Sequence, residues 1–151
     1  MNKELKIRRL GKSDVGIFKE MIQLFQEVFE EEKQTKIEEL YLEKLLEKPG
    51  FMVYCAISNG EVVGGLTAYE LPMYYSKHSE IFIYDIAIKA EFQRKGVGRK
   101  LLSSLQVYGK KNNIEVIFVA VNEEDKHALD FYHSTGGKAE KVVHFNYDLD
   151  E

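Results

Sequence analysis

The spacing of apolar residues along the chain predicts a succession of short strands and helices. Residues 5–8 alternate between apolar and polar, as in a short strand. Apolar residues then recur at helical spacing from Ile17 to Val28, behind Ser13 or Asp14 as a capping residue. A second helix is predicted over about residues 37–46, before the chain breaker Pro49-Gly50. The first part of the chain therefore reads as strand, helix, helix.

The rest of the chain contains the strongest strand signals. Asn59-Gly60 lies between two apolar runs and predicts a hairpin turn. Residues 81–88 are nearly all apolar, which is typical of a strand covered on both faces. The predicted elements after the second helix are strands 51–57, 62–69 and 81–88, a helix starting near Val97, strand 116–121, helix 126–134 and strand 142–147. This order predicts an α/β fold in a single domain, 1–151, with a mixed antiparallel and parallel sheet and helices on both faces.

Composition and charge exclude several classes of protein. Hydrophobic residues make up 44% and charged residues 30% of the chain, as in a soluble globular protein. No run approaches the roughly 18–20 apolar residues of a membrane span, and residues 1–6 lack the apolar core of a signal peptide, so we expect a cytoplasmic protein without a membrane partner. The net charge of −4 argues against nucleic-acid binding and is compatible with a cationic partner. The lone Cys55 excludes an internal disulfide and a multi-cysteine zinc site, so no metal is expected. We expect Cys55 to be a buried structural thiol.

A glycine-containing turn is the main candidate for ligand binding. Gln93-Arg94-Lys95-Gly96-Val97-Gly98 stands where the buried strand gives way to a helix. Glycines there let an anion approach the unpaired N–H groups of the first helical turn, and Arg94, Lys95 and Arg99 add positive charge. The turn matches neither the Walker pattern nor the dinucleotide fingerprint. The alternatives are a diphosphate site and a basic turn that only caps a helix.

The same residues carry a resemblance. Gln93-x-x-Gly96-x-Gly98 after Ile86-Ala87-Ile88 resembles the acetyl-CoA motif of the GNAT N-acetyltransferases. Segments 64–72, 79–87 and 144–145 are similar to aminoglycoside 3-N-acetyltransferases of that superfamily. The resemblance implies a GNAT fold of six to seven strands with about four helices. It also implies direct acetyl transfer from acetyl-CoA to a primary amine in a ternary complex, and a homodimer.

The resemblance further implies a set of cofactor contacts. Main chain at Ile86, Ala87 and Ile88 would pair with the pantetheine arm, and Asn122 would hydrogen-bond to it. The residues expected around the diphosphate are those of the turn and the start of its helix: Gln93, Arg94, Lys95, Gly96, Val97, Gly98 and Arg99.

Two carboxylates and a tyrosine are the candidates for proton transfer. Asp85 interrupts an apolar strand, where an unpaired buried carboxylate would be costly, so it either faces a cleft or bonds to a neighbouring loop. The resemblance favours a substrate-facing base at Asp85, with Glu80 as the second candidate. Tyr132 stands where GNAT enzymes often carry a general acid, and its alternative role is that of a core aromatic.

The substrate is less well defined by the sequence. Glu123, Glu124 and Asp125 are expected to attract a cation, whereas Glu30 to Glu32 are expected to be solvated surface. His144 is a candidate substrate contact or a packed strand histidine. Asn146 replaces an acidic residue that aminoglycoside enzymes tend to carry. Three hypotheses follow: an aminoglycoside 3-N-acetyltransferase, a GNAT enzyme for another amine such as a polyamine or peptide, and a non-catalytic acyl-CoA-binding module.

Overall fold

The computed structural model describes residues 4–31 and 37–150, so Glu32 of the first acidic run lies outside the described residues. The chain divides into a first unit, residues 1–120, and a second unit, residues 121–151. Each unit is described by itself below.

The first unit contains a mixed five-stranded sheet in the order β1-β2-β3-β4-β5. The first three pairings are antiparallel and the pairing of β4 with β5 is parallel, which confirms the predicted mixed sheet. Asn59 and Gly60 form the turn between β2 and β3 with positive φ angles of 50° and 78°, as their side chains predict. The strands are β1 (Leu5–Arg9), β2 (Phe51–Ser58), β3 (Glu61–Pro72), β4 (Ser79–Ile88) and β5 (Ile114–Val119).

Four α-helices accompany these strands in the described residues, as predicted. Asp14 precedes the first helix, but its buried carboxylate accepts hydrogen bonds from the Gly11 N–H and the Arg8 guanidinium instead of capping that helix. The second helix begins two residues later than the pattern predicts. The helices are α1 (Val15–Val28), α2 (Glu39–Glu47), α3 (Val97–Lys111) and, in the second unit, α4 (Lys126–Ser134).

Two apolar cores cover the two faces of the sheet. Alternate residues of β2 belong to different cores: Val53 packs with α1 and α2, and Tyr54 packs with α3. Met21 of α1 and Leu101 and Leu105 of α3 are fully buried in their respective cores. Since successive strand side chains point to opposite faces, α1 and α2 cover one face and α3 covers the other. We call these the α1 face and the α3 face.

The predicted closing strand at residues 142–147 is wrong for this structure. The described chain forms five strands, not six to seven, and residues 138–150 are exposed without belonging to a helix or strand. A strand exists only where its N–H and C=O groups pair with a neighbour, and this segment has no ladder partner among the described residues. Residues 142–147 therefore have the apolar pattern of a strand but not the hydrogen-bonded pairing of one.

Candidate active site

The glycine turn predicted from the sequence lies between the end of β4 and the start of α3. Arg94 and Gly96 both adopt left-handed backbone conformations, with φ of 61° and 84°. A Cβ at Gly96 would meet no heavy atom within 4 Å, so its missing side chain leaves open space. A non-glycine residue in the left-handed region costs about 1 kcal/mol or more, and such strain concentrates at ligand sites. The backbone is therefore held in a bent conformation, with room beside it.

The N-terminus of α3 supplies donors beside that space. The Lys100 N–H makes the first helical bond, to the Gly96 carbonyl at 3.0 Å. The N–H groups of Val97 and Gly98 precede it and have no acceptor within the helix. Arg94 and Lys95 are exposed, and the Lys95 Nζ lies 5.8 Å from the centre of the Phe92 ring. These backbone donors and cations suit an anionic group such as a diphosphate.

The end of β4 leaves one backbone edge open. β5 pairs with β4 only as far as Ile83, which lies opposite Val119. β4 itself continues to Ile88 and pairs with β3 along its other edge. In the described part of the chain, no strand pairs with the outer edge of residues 84–88. Peptide groups along that edge can accept an extended ligand such as a pantetheine arm.

The Gln93 side chain contacts the backbone at the end of β4. Its side-chain amide donates to the Ile88 carbonyl at 3.0 Å, joining the glycine turn to the end of β4. The Lys89 ammonium, next along the chain, pairs with the Glu61 carboxylate. Both contacts anchor the turn to the sheet.

A bulge in β4 sets the direction of Asp85. Thr67 of β3 lies opposite Asp85, but the next residue, Ala68, lies opposite Ile83, so Tyr84 is an extra residue in β4. Before the bulge Ile83 belongs to the α3-face core, and after it Ala87 belongs to the α1-face core. Strict alternation would place Asp85 with Ile83 in the α3-face core. The bulge moves it to the α1 face, as bulges beside active sites commonly do.

The surroundings of Asp85 disfavour its charge. Burial raises the pKa of the half-buried Asp85 carboxyl above its ordinary value, and the Glu31 carboxylate raises that pKa further. Directly across the strand pair, the Thr67 hydroxyl is buried and has no hydrogen-bond partner. A raised carboxyl pKa suits a general base, because the pKa then lies nearer to the pH at which the enzyme works.

Aromatic side chains form a row on the same face. Tyr69 and Tyr84 meet edge-to-face at 5.8 Å, and Phe82 lies 6.1 Å from Tyr84. Phe82 also stacks on Phe118 of β5 at 5.1 Å. Tyr84 is 61% exposed, so the row is open to solvent beside Asp85. Burial raises the pKa of Tyr69, and Tyr84, Tyr41 and Asp85 add to that rise because they lie near it.

Glu80 lies at the opposite end of β4 from Asp85. It pairs with Val116 near the start of the strand. Five strand residues span roughly 17 Å at 3.3–3.4 Å each, so the two carboxylates do not share one site.

Cys55 is a buried thiol, as predicted. Its side chain is fully buried in the α1-face core. Burial raises the pKa of Cys55 to about 12, so the group is protonated at neutral pH and cannot serve as an acyl-accepting thiolate.

The second unit contains the remaining predicted site residues. Asp125 caps α4, because its carboxylate accepts from the Ala128 N–H at 3.1 Å, so that charge serves the helix N-terminus. Tyr132 lies on α4, with its ring 5.0 Å from that of Phe131 in an edge-to-face pair. Tyr132 and Phe131 are both half-buried, whereas His144 is exposed. The other predicted residues here, Asn122, Glu123 and Glu124, are also exposed.

In the described residues, no group of three or more His, Cys, Asp or Glu side chains comes together to hold a metal ion. None of the described helices is long and apolar enough to cross a membrane.

The bent turn, the open strand edge and the half-buried Asp85 carboxyl suit a transferase that uses an acyl-CoA. The sequence profile of the Acetyltransferase (GNAT) family matches residues 18–136, and the chain belongs to this family. GNAT acetyltransferases use acetyl-CoA, and this chain is an acetyl-CoA-dependent N-acetyltransferase.

Three relatives show how the chain compares with known proteins. It is 39% identical to an aminoglycoside acetyltransferase, meta-AAC0020, from an uncultured soil metagenomic sample, solved with sisomicin (TM-score 0.94, 97% of each chain). It is 31% identical to another, HMB0005, also from an uncultured soil metagenomic sample (TM-score 0.93, 97% of this chain and 99% of that one). It is 21% identical over 132 residues to the uncharacterized N-acetyltransferase YhfO of Bacillus subtilis strain 168, covering 87% of this chain and 89% of the relative.

Several residues of this site were not found from the sequence. Thr67, Tyr69 and Tyr84 belong to apolar strand runs, where nothing distinguishes a site residue from a core residue. The sequence predicts that Glu31 is solvated surface, and Glu31 is exposed; its carboxylate also adds to the rise in the pKa of Asp85. The only sequence signal for Glu31 was the acidic run itself.

Proposed function

We propose that the protein transfers the acetyl group of acetyl-CoA to an amine of an aminoglycoside, at the 3-amino group, and thereby contributes to antibiotic resistance. The observation that carries this proposal is Asp85, directed by the Tyr84 bulge onto the α1 face with Glu31 and an aromatic row beside it. Carboxylates attract cations, and aromatic faces bind both cations and sugar rings. The 39% identical neighbour is an aminoglycoside acetyltransferase solved with sisomicin, which supports this substrate class.

The glycine turn and the β4 edge fit the cofactor. We assign the diphosphate to the backbone of residues 94–99 and the pantetheine arm to main chain at Ile86, Ala87 and Ile88. Gln93 holds the turn in place through Ile88, and Asn122 is assigned to the arm. When bound, acetyl-CoA supplies an activated acetyl group. Peptide N–H groups at the β4 edge then polarise the thioester carbonyl.

Asp85 is assigned as the base for the incoming amine. An amine with a lysine-like pKa of about 10.4 is protonated at pH 7, and removing its proton would cost roughly 4.6 kcal/mol. The raised pKa of Asp85 increases its affinity for that proton. Tyr132 is assigned as the acid that returns a proton to the departing thiolate. Glu123, Glu124 and His144 are assigned to the substrate, whereas Asp125 already caps α4.

A substrate screen tests the proposal. Sisomicin, a 3-N-blocked derivative, spermidine and a lysine peptide are each incubated with acetyl-CoA, and products are identified by mass spectrometry and NMR. We expect sisomicin to be acetylated and the blocked derivative to be inert. Acetylation of the blocked derivative would overturn the 3-amino assignment. Turnover of spermidine or the peptide alone would replace the aminoglycoside with another amine.

Matched variants test the residue assignments. Asp85→Asn should lower kcat/KM by roughly 10²–10⁴-fold, the usual contribution of a general base. Glu80→Gln, at the other end of the same strand, should change it little, and the reverse result would make Glu80 the base. Tyr132→Phe removes only the hydroxyl, so near-full turnover in a folded variant would refute its role as acid.

A further inference from the structure

One buried hydroxyl beside the candidate base is not used by the fold. Thr67 of β3 is only 8% exposed, and its Oγ1 has no hydrogen-bond partner among the described residues. Buried polar side chains nearly always have a partner, because burying one without a partner destabilises the folded state. Exceptions concentrate at sites where the group serves function rather than stability. The position of Thr67 next to Asp85 is such a site.

The register of the sheet leaves Asp85 as the polar neighbour of Thr67. Across β2 the residue opposite Thr67 is Val53, which is buried and apolar, and across β4 it is Asp85. Directly opposite residues share one face of the sheet, with Cβ atoms about 4.5–5.5 Å apart. The Asp85 carboxyl is therefore the acceptor that a rotation of these two side chains brings to the Thr67 hydroxyl. The side chains that α1 buries in the core of this face are all apolar: Phe18, Met21, Leu24 and Phe25.

The charge of Asp85 lacks support from the groups around it. Burial and the Glu31 carboxylate both disfavour the ionised form. Tyr69 of β3 also lies close to Asp85, and Tyr41 of α2 lies close to Tyr69. None of these three groups brings a positive charge to the carboxylate. A hydroxyl that donates to one carboxylate oxygen would favour the ionised form and fix the direction of the other oxygen.

We propose that Thr67 is a positioning residue for the acetyl transfer, and that its hydroxyl donates to one oxygen of the Asp85 carboxylate when the amine is bound. This inference rests on the proposed role of Asp85 as the base. The other oxygen then takes the proton of the amine, and the nitrogen lone pair attacks the acetyl carbon. Catalytic hydrogen bonds are often open in a free enzyme and close in the substrate complex, which agrees with an unpartnered hydroxyl in the free chain.

The pH dependence of the reaction separates this role from a structural one. The single-turnover rate at saturating amine reports groups in the substrate complex, and kcat/KM reports those of the free enzyme. With the amine that the substrate screen identifies, Thr67→Val should lower the saturated rate roughly tenfold to hundredfold, the effect of a misplaced catalytic group. Its acidic limb should move to higher pH, because the carboxylate loses its donor, while the acidic limb of kcat/KM stays in place.

Thr67→Ser is the matched control, because it keeps the hydroxyl. It should restore both the saturated rate and the position of its acidic limb. An unchanged profile in folded Thr67→Val would overturn the proposal. A shift of the limb by Tyr69→Phe instead of Thr67→Val would also overturn it, since Tyr69 would then be the donor.

A double-mutant cycle with Asp85→Asn shows which assignment fails. In the Asp85→Asn background Thr67→Val should cause little further loss of rate, because the hydroxyl acts through the carboxylate. A loss of equal size in both backgrounds would refute the role of Thr67 and leave Asp85 as the base. Wild-type turnover by Asp85→Asn would refute the base itself, and the role of Thr67 with it. Urea denaturation of every variant checks that each is folded.

Discussion

Gly65 lies where the sheet is packed most tightly against α1. A Cβ built on Gly65 would stand 2.2 Å from the Met21 Sδ and 2.7 Å from its Cγ, and Met21 is fully buried. Real side chains do not approach so closely, so Gly65→Ala must displace Met21. Gly65 also pairs with Ala87 near the end of β4 that leads into the glycine turn, so the displacement bears on the candidate site.

The expected cost follows from two opposing effects. Over-packing a well-filled core costs about 1–3 kcal/mol. Replacing glycine by alanine also restricts the unfolded chain and returns about 0.4–1 kcal/mol. We therefore expect Gly65→Ala to lower the free energy of unfolding by about 1–2 kcal/mol. For a chain of this size that lowers Tm by about 2–8 °C.

Urea denaturation of a double-mutant cycle tests this reasoning. Met21→Ala alone should cost about 2–5 kcal/mol, because it leaves a cavity. In that background Gly65→Ala should cost nothing or stabilise slightly, since the clashing sulfur is gone. Gly16→Ala is the control: nothing lies within 4 Å of that added Cβ in α1, so stability should rise by about 0.5–1 kcal/mol. An equal cost of Gly65→Ala with and without Met21 would refute the packing argument.

Three further predictions concern charge and polarity at the site. Because the folded-state pKa of Asp85 is raised, the contribution of Asp85 to stability is lost as pH rises through that pKa. The Asp85→Asn variant should therefore be more stable than wild type at pH 7. Below about pH 3.9 the two proteins should be equally stable, as measured by unfolding at a series of pH values. Thr67→Val removes a buried hydroxyl without a partner and should raise the free energy of unfolding by about 1 kcal/mol in urea denaturation. Arg94→Glu with Lys95→Glu should weaken acetyl-CoA binding at least tenfold by calorimetry, about 1.4 kcal/mol, whereas reversing Lys110–Lys111 at the other end of α3 should not.

Local patterns were sufficient for most of the secondary structure. Asn59-Gly60 predicted its hairpin because both residues tolerate positive φ, and both adopt it. The apolar run at 81–88 predicted a strand, which the structure contains within β4. The glycine turn was predicted because its residues are contiguous. Because the residues of the turn are adjacent in the sequence, the position of the turn after β4 could be inferred without knowing the tertiary structure.

The segment at 142–147 shows where pattern reasoning is insufficient. Its alternation predicts a strand, but a strand needs hydrogen-bonding partners that a local pattern cannot supply. Among the described residues no such partner is present, and the sheet ends at β5. The same limit applies to Glu31, whose effect on Asp85 depends on where α1 ends relative to the sheet.

What the sequence by itself determined is most of the helices and strands, the position of the glycine turn after β4, and Asp85 as a candidate base. Tertiary structure decided which way that base points. The Tyr84 bulge turns Asp85 out of the α3-face core and toward Glu31, and no residue pattern in β4 marks the bulge. The physical reason is that strand register is a property of two paired chains, so one inserted residue reverses every later side chain.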